Sequence, residues 1–130
     1  MIAVDTSALV AILKSEADAS SFTDALNDAE TLRIGAATRF ELLLVMANTQ
    51  GQEGVDDAKA LLDAYRFECI DFTEEMSDAA AQAFLKFGKS RHPAKLNFGD
   101  CMAYALAESL DAPLLFKGDD FAQTDIRSAL

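Results

Sequence analysis

Short apolar runs alternate with longer stretches of helical period along this chain. Ile2-Ala3-Val4 is the first run. Residues 32–34, 67–72 and 113–116 are the others, each of strand length and bounded by polar or turn-forming residues. Between them lie segments that read as helices. Residues 8–13 follow the capping pair Thr6-Ser7, and residues 17–27 place Phe22, Ala25 and Leu26 on one face. Residues 37–48 are apolar on nearly every side and stop at Gln50-Gly51. Residues 55–65 carry the stripe Val55, Ala58, Leu61, Leu62 and Tyr65. Thr73 caps a further helix that has Glu74 and Glu75 in its first turn and ends at Gly88. A last helix begins near Asp100 and ends near Leu110. Strands separated by helices, with no hairpin signal, predict an α/β fold around a small, mainly parallel sheet covered by helices.

Length and composition leave that picture simple. The chain has 130 residues, 51% of them hydrophobic, with no repeat, linker or low-complexity segment. Residues 1–130 therefore read as one domain with a real core. Its longest apolar stretch, residues 42–47, is too short to span a bilayer. Asp5 breaks the N-terminal run and no basic residue precedes it, so a signal peptide is not expected and the cytoplasm is the expected location. Cys69 and Cys101 have no metal-like spacing and are expected as two reduced thiols in apolar surroundings.

Charge changes the picture more. Four acids stand where a charge is unfavourable: Asp5 at the end of the first strand, Glu41 inside an apolar helix, Asp100 at a helix start and Asp119 just past the last strand. An ionised carboxylate away from water costs several kcal/mol unless it is paired or bound to a cation. In a parallel sheet, residues just past the strands' carboxyl ends share one rim, so the four can converge on one crevice. Two such charges 4 Å apart repel by roughly 1–4 kcal/mol. An all-oxygen set without His or Cys suits Mg²⁺, or Mn²⁺ in its place. Each acid also has a structural role open to it: Asp5 and Asp100 as helix caps, Asp119 as a turn residue, Glu41 as the partner of a buried Arg.

The net charge of −11 excludes nucleic-acid binding through overall charge. Yet Lys86, Lys89, Arg91 and Lys95 fall within ten positions, with His92 among them and no acid between. Lys89, Arg91 and Lys95 are thus candidate RNA contacts just ahead of Asp100, with a solvated helix end as the plainer reading.

The same acids carry a family resemblance. Ile2-Ala3-Val4-Asp5-Thr6-Ser7-Ala8-Leu9 resembles the opening of PIN-domain proteins. Ala36-Ala37-Thr38-Arg39-Phe40-Glu41 resembles their second acidic motif, and Phe98-Gly99-Asp100-Cys101-Met102-Ala103 their third. Leu114-Leu115-Phe116-Lys117-Gly118-Asp119-Asp120-Phe121, followed by Thr124-Asp125-Ile126, resembles their C-terminal strand and turn. Within that family the whole chain is similar to the VapC ribonuclease toxins. The resemblance implies an Mg²⁺- or Mn²⁺-dependent endoribonuclease that is homodimeric and restrained by a cognate antitoxin of VapB type. It implies Asp5, Glu41 and Asp100 as catalytic and metal-site acids, with Asp119 in a less strict fourth place that a one-residue shift would give to Asp120. Ser7 matches a hydroxyl that supports Asp5. Acids that hold one or two cations would activate a water for in-line attack on the phosphodiester, leaving 3′-hydroxyl and 5′-phosphate ends.

A reading from another class is a catalytically inactive PIN-fold module whose acidic crevice docks a basic peptide of a protein partner. A dehalogenase-like phosphatase fits less well, because Ser7 stands where its second Asp is needed. A receiver domain lacks its acidic pair after the first strand, and no phosphate-binding glycine loop is present.

Overall fold

A computed structural model describes all residues, Met1–Leu130. Four strands, β1 (Ile2–Val4), β2 (Leu32–Gly35), β3 (Glu68–Ile70) and β4 (Leu114–Leu115), form one sheet in the order β3-β2-β1-β4. Every pairing is parallel; Ile2 is opposite Leu32, Ala3 opposite Leu114 and Val4 opposite Leu115. The mainly parallel sheet expected from the strand–helix alternation is thus entirely parallel. Five helices cover it: α1 (Thr6–Leu13), α2 (Ala19–Asp28), α3 (Ala36–Ala64), α4 (Glu74–Phe87) and α5 (Phe98–Leu110).

Strand alternation divides the core between the two faces. Val4, Ile34 and Leu115 pack with Leu9, Phe22, Leu42, Met46 and Leu62 of α1–α3. Ala3 and Leu114, their neighbours along the strands, join Phe87, Leu96, Tyr104 and Leu106 on the α4–α5 side. α3 is two segments joined at Gly51, whose φ of 61° breaks the helix where Gln50-Gly51 predicts a stop. Residues 127–129 run beside β4, with Leu114 N–H donating to the Arg127 carbonyl and Ala129 N–H to that of Leu114. That segment covers one edge of the sheet.

The other edge is less covered, and it corrects two expectations. β3 spans only Glu68–Ile70 rather than residues 67–72, and Cys69 on it is exposed. An edge strand lacks a second neighbour and a covering layer, so an apolar run there shortens and its thiol faces water. Cys101 is buried and reduced, as expected. No helix is long and apolar enough to cross a membrane.

Candidate active site

The strand order reverses between β1 and β4. Chain progression moves outward from β1 through β2 to β3, then returns across the sheet to β4. In parallel sheets the crevice beyond the carboxyl ends at such a reversal is where ligands bind. Asp5 leaves β1 at that point, its N–H donating to the Leu115 carbonyl at 2.9 Å. A cleft of about 330 Å³ opens there, lined by Asp5, Thr6, Ser7, Glu16, Glu41, Asp100 and Lys117 among others.

Asp5 is 4% exposed. It caps α1: Oδ2 accepts from Ser7 N–H at 3.0 Å and from Ser7 Oγ at 2.6 Å. Oδ1 is buried and accepts no hydrogen bond. Burial pushes the Asp5 pKa up, the two bonds from Ser7 pull it down, and the Glu41 charge adds to the rise. The cap and the site are the same residue, each role using one oxygen.

Glu41 lies in the second turn of α3 and is only half-buried. Its partner is not an arginine: Oε1 accepts from Thr6 Oγ1 at 2.6 Å. Gly99 packs directly on its carboxylate, so that a Cβ there would collide with Oε2. Asp100 sits in the first turn of α5 in a capping box. Asn97 N–H donates to Asp100 Oδ2 at 3.1 Å, and Asp100 N–H donates back to Asn97 Oδ1 at 2.9 Å. The helix therefore starts at Phe98, two residues before the expected start, because Asn97 supplies the cap. Desolvation raises the Asp100 pKa to about 6 against the bonding to Asn97, and the charges of Asp5, Asp120 and Glu41 reinforce the rise.

Asp120 is among the charges that act on Asp100; it and Asp119 are both exposed in the turn after β4, and neither lines the cleft. Neither is buried, so the expectation of four shielded acids holds fully only for Asp5. The basic candidates Lys89, Arg91 and Lys95 are exposed in the segment between α4 and α5, and none lines the cleft. Arg91 stacks over the Phe84 ring at 5.8 Å instead. Sequence reasoning missed Glu16 and Lys117 as cleft residues and gave no separate role to Gly99 or to the Thr6 hydroxyl. Of these, only Gly99 carried a signal, since a glycine just inside a helix start has no local reason to be there.

No three acidic, His or Cys side chains stand close enough to enclose an ion by themselves. The free Oδ1 of Asp5 beside Asp100 and Glu41 fits a cation that takes one or two carboxylates and completes its shell with water and phosphate oxygens, as Mg²⁺ does.

The PIN domain family model matches residues 2–127. The chain is 41% identical to VapC ribonuclease Mb0625 of Mycobacterium bovis over 128 residues, 98% of this chain and 96% of the relative. It is 41% identical to Ribonuclease VapC42 of Mycobacterium tuberculosis over 127 residues, 97% of each. In fold it matches M. tuberculosis VapC20, described as a Sarcin-Ricin loop cleaving toxin. That match has a TM-score of 0.81 at 13% identity and covers 97% of this chain and 96% of that one. VapBC2 from Rickettsia felis bound to a DNA fragment from their promoter matches with a TM-score of 0.71 at 16% identity, covering 98% and 96%. Sequence and fold agree: the chain belongs to the PIN-domain family and, within it, to the VapC ribonucleases.

Proposed function

We propose that this protein is an Mg²⁺- or Mn²⁺-dependent endoribonuclease, the toxin of a toxin–antitoxin pair, which acts in the cytoplasm on RNA and is restrained by an antitoxin of VapB type. The observation that carries the reading is Asp5, a buried carboxylate with one oxygen tied to Ser7 and the other free, facing two further acids across one cleft. Relatives named as ribonucleases at 41% identity over nearly the full length support the reaction class. Solved VapBC assemblies of the same fold support the antitoxin. Exposed Phe40 and Leu44 on α3 and Phe98 on α5 give a homodimer an apolar face to cover.

In this reading the protein's own groups do three things. Ser7 fixes Asp5 by two hydrogen bonds, so its free oxygen is held without rotamer freedom. Thr6 does the same for Glu41 with one bond. The capping box leaves the second oxygen of Asp100 for the cleft, where it would be available to hold a cation. A divalent cation held by these acids supplies Lewis-acid stabilisation of charge on the phosphate and lowers the pKa of an attacking water. A fourth acid would come from the turn after β4, as Asp119 or Asp120, both exposed and outside the lining of the cleft.

The test is cleavage of total RNA in Mg²⁺ by wild type, Asp5→Asn and Asp100→Asn proteins. Both variants are expected to lose at least about a hundredfold in rate, the scale of losing a principal electrostatic stabiliser. Variants that cleave as fast as wild type would refute the reading. Undiminished docking of a basic peptide with no RNA cleavage by wild type would point to the inactive module instead.

A further inference from the structure

Lys117 is the one basic side chain that lines the acid cleft. Its main chain and its ammonium group are fixed by different contacts. Lys117 N–H donates to Ser7 Oγ at 2.9 Å, the same hydroxyl that donates to Asp5 Oδ2. Gly118 follows with φ near +100°, a conformation that only glycine adopts freely, and the chain turns away there. The ammonium spans to Glu16 Oε1 at 2.6 Å and Asp18 Oδ1 at 3.1 Å, on the segment joining α1 to α2. Its ion pairs are thus with Glu16 and Asp18 and not with Asp5, Glu41 or Asp100.

This arrangement has a physical use. An RNA strand entering the cleft meets Asp5, Glu16, Glu41 and Asp100, all acidic. A cation offsets part of that repulsion, and Lys117 is the only side chain in the cleft able to offset more. Its three-atom ion pair is more than a third exposed at each member, so it holds weakly and exchanges partners readily. We propose that Lys117 binds a non-bridging oxygen of the RNA phosphate that enters the cleft, and that Glu16 and Asp18 hold its ammonium at the cleft until the RNA takes their place. The proposal rests on the ribonuclease reading above. A purely structural tie between β4 and the α1–α2 segment would use the same ion pairs, and the test separates the two.

Binding of a labelled random-sequence single-stranded RNA pool is measured against salt in Mg²⁺, in an Asp100→Asn background so that the RNA survives. Lys117→Gln is expected to weaken binding about fivefold at 0.1 M salt and to reduce the slope of log affinity against log salt by about 0.7, one phosphate contact on a single strand. Lys117→Arg should restore both. Glu16→Gln with Asp18→Asn should keep the slope and bind at least as tightly, although the tie is broken. An unchanged slope in Lys117→Gln overturns the proposal, as does equal weakening in the Glu16/Asp18 double variant. Wild-type protein that neither binds the pool nor cleaves total RNA overturns the ribonuclease reading itself. Wild-type cleavage with an unaltered Lys117→Gln slope overturns only the role of Lys117.

Discussion

At Asp5, burial raises the pKa while two hydrogen bonds from Ser7 lower it, and only one oxygen benefits from those bonds. Asp100, less deeply buried, meets desolvation with one bond from Asn97 and three neighbouring negative charges. Its folded-state pKa of about 6 lies above the unfolded value of 3.8. Between those values the folded chain binds more protons than the unfolded one. The protonated group therefore stabilises fully below pH 3.8, and that contribution disappears as pH rises through about 6. Discounted for the partial exposure of Asp100, the effect is about 1–2 kcal/mol. Chelator-treated protein should accordingly unfold at higher urea concentration at pH 5 than at pH 7, and Asp100→Asn should show a smaller difference. Greater stability at pH 7, or the same difference in the variant, would contradict this account of Asp100. The general excess of acid charge acts in the same direction, which makes the variant comparison the informative one. At this scale the acids themselves were legible, because an acid beside an apolar run is conspicuous. Their partners were not: a Thr6–Glu41 bond joins residues 35 apart, and only the folded chain brings them together.

Between elements, the decisive contact is α5 against α3. Gly99 in the first turn of α5 leaves room for the Glu41 carboxylate, and a methyl group there would displace it. Gly99→Ala has favourable helix propensity, so the helix itself should be no less stable. It is expected to lower RNA cleavage by at least about tenfold by moving Glu41, since small misplacements of site groups cost rate steeply. Melting and cleavage assays on one preparation check this; unchanged cleavage would show that Glu41 need not hold its position. Element identities were readable from period and capping: Thr73 caps α4 through Met76 N–H, and Gly51 interrupts α3. Boundaries shifted where a cap or an edge decided them. Asn97 starts α5 early, and the uncovered position of β3 shortens it. The exposure of Cys69 follows from strand order, which no local pattern encodes.

The whole molecule sets a parallel sheet with its reversal between β1 and β4 beneath a chain of net charge −11. The reversal explains why acids from α3, α5 and the end of β1 share one cleft, and alternation of strands with helices anticipated the parallel sheet without its order. Charge is distributed so that the basic stretch from Lys86 to Lys95 stands outside the cleft while Lys117 lies inside it. Sequence clustering made the first conspicuous and left the second as a single lysine in a turn. Asp5, Glu41 and Asp100 lining one cleft make sense if a cation offsets their charge, and that is open to direct measurement. Calorimetric titration of the purified protein with Mg²⁺, repeated with Mn²⁺, should give saturable binding to wild type and none to Asp5→Asn. Equal binding by the two proteins, or none by wild type, would contradict the account.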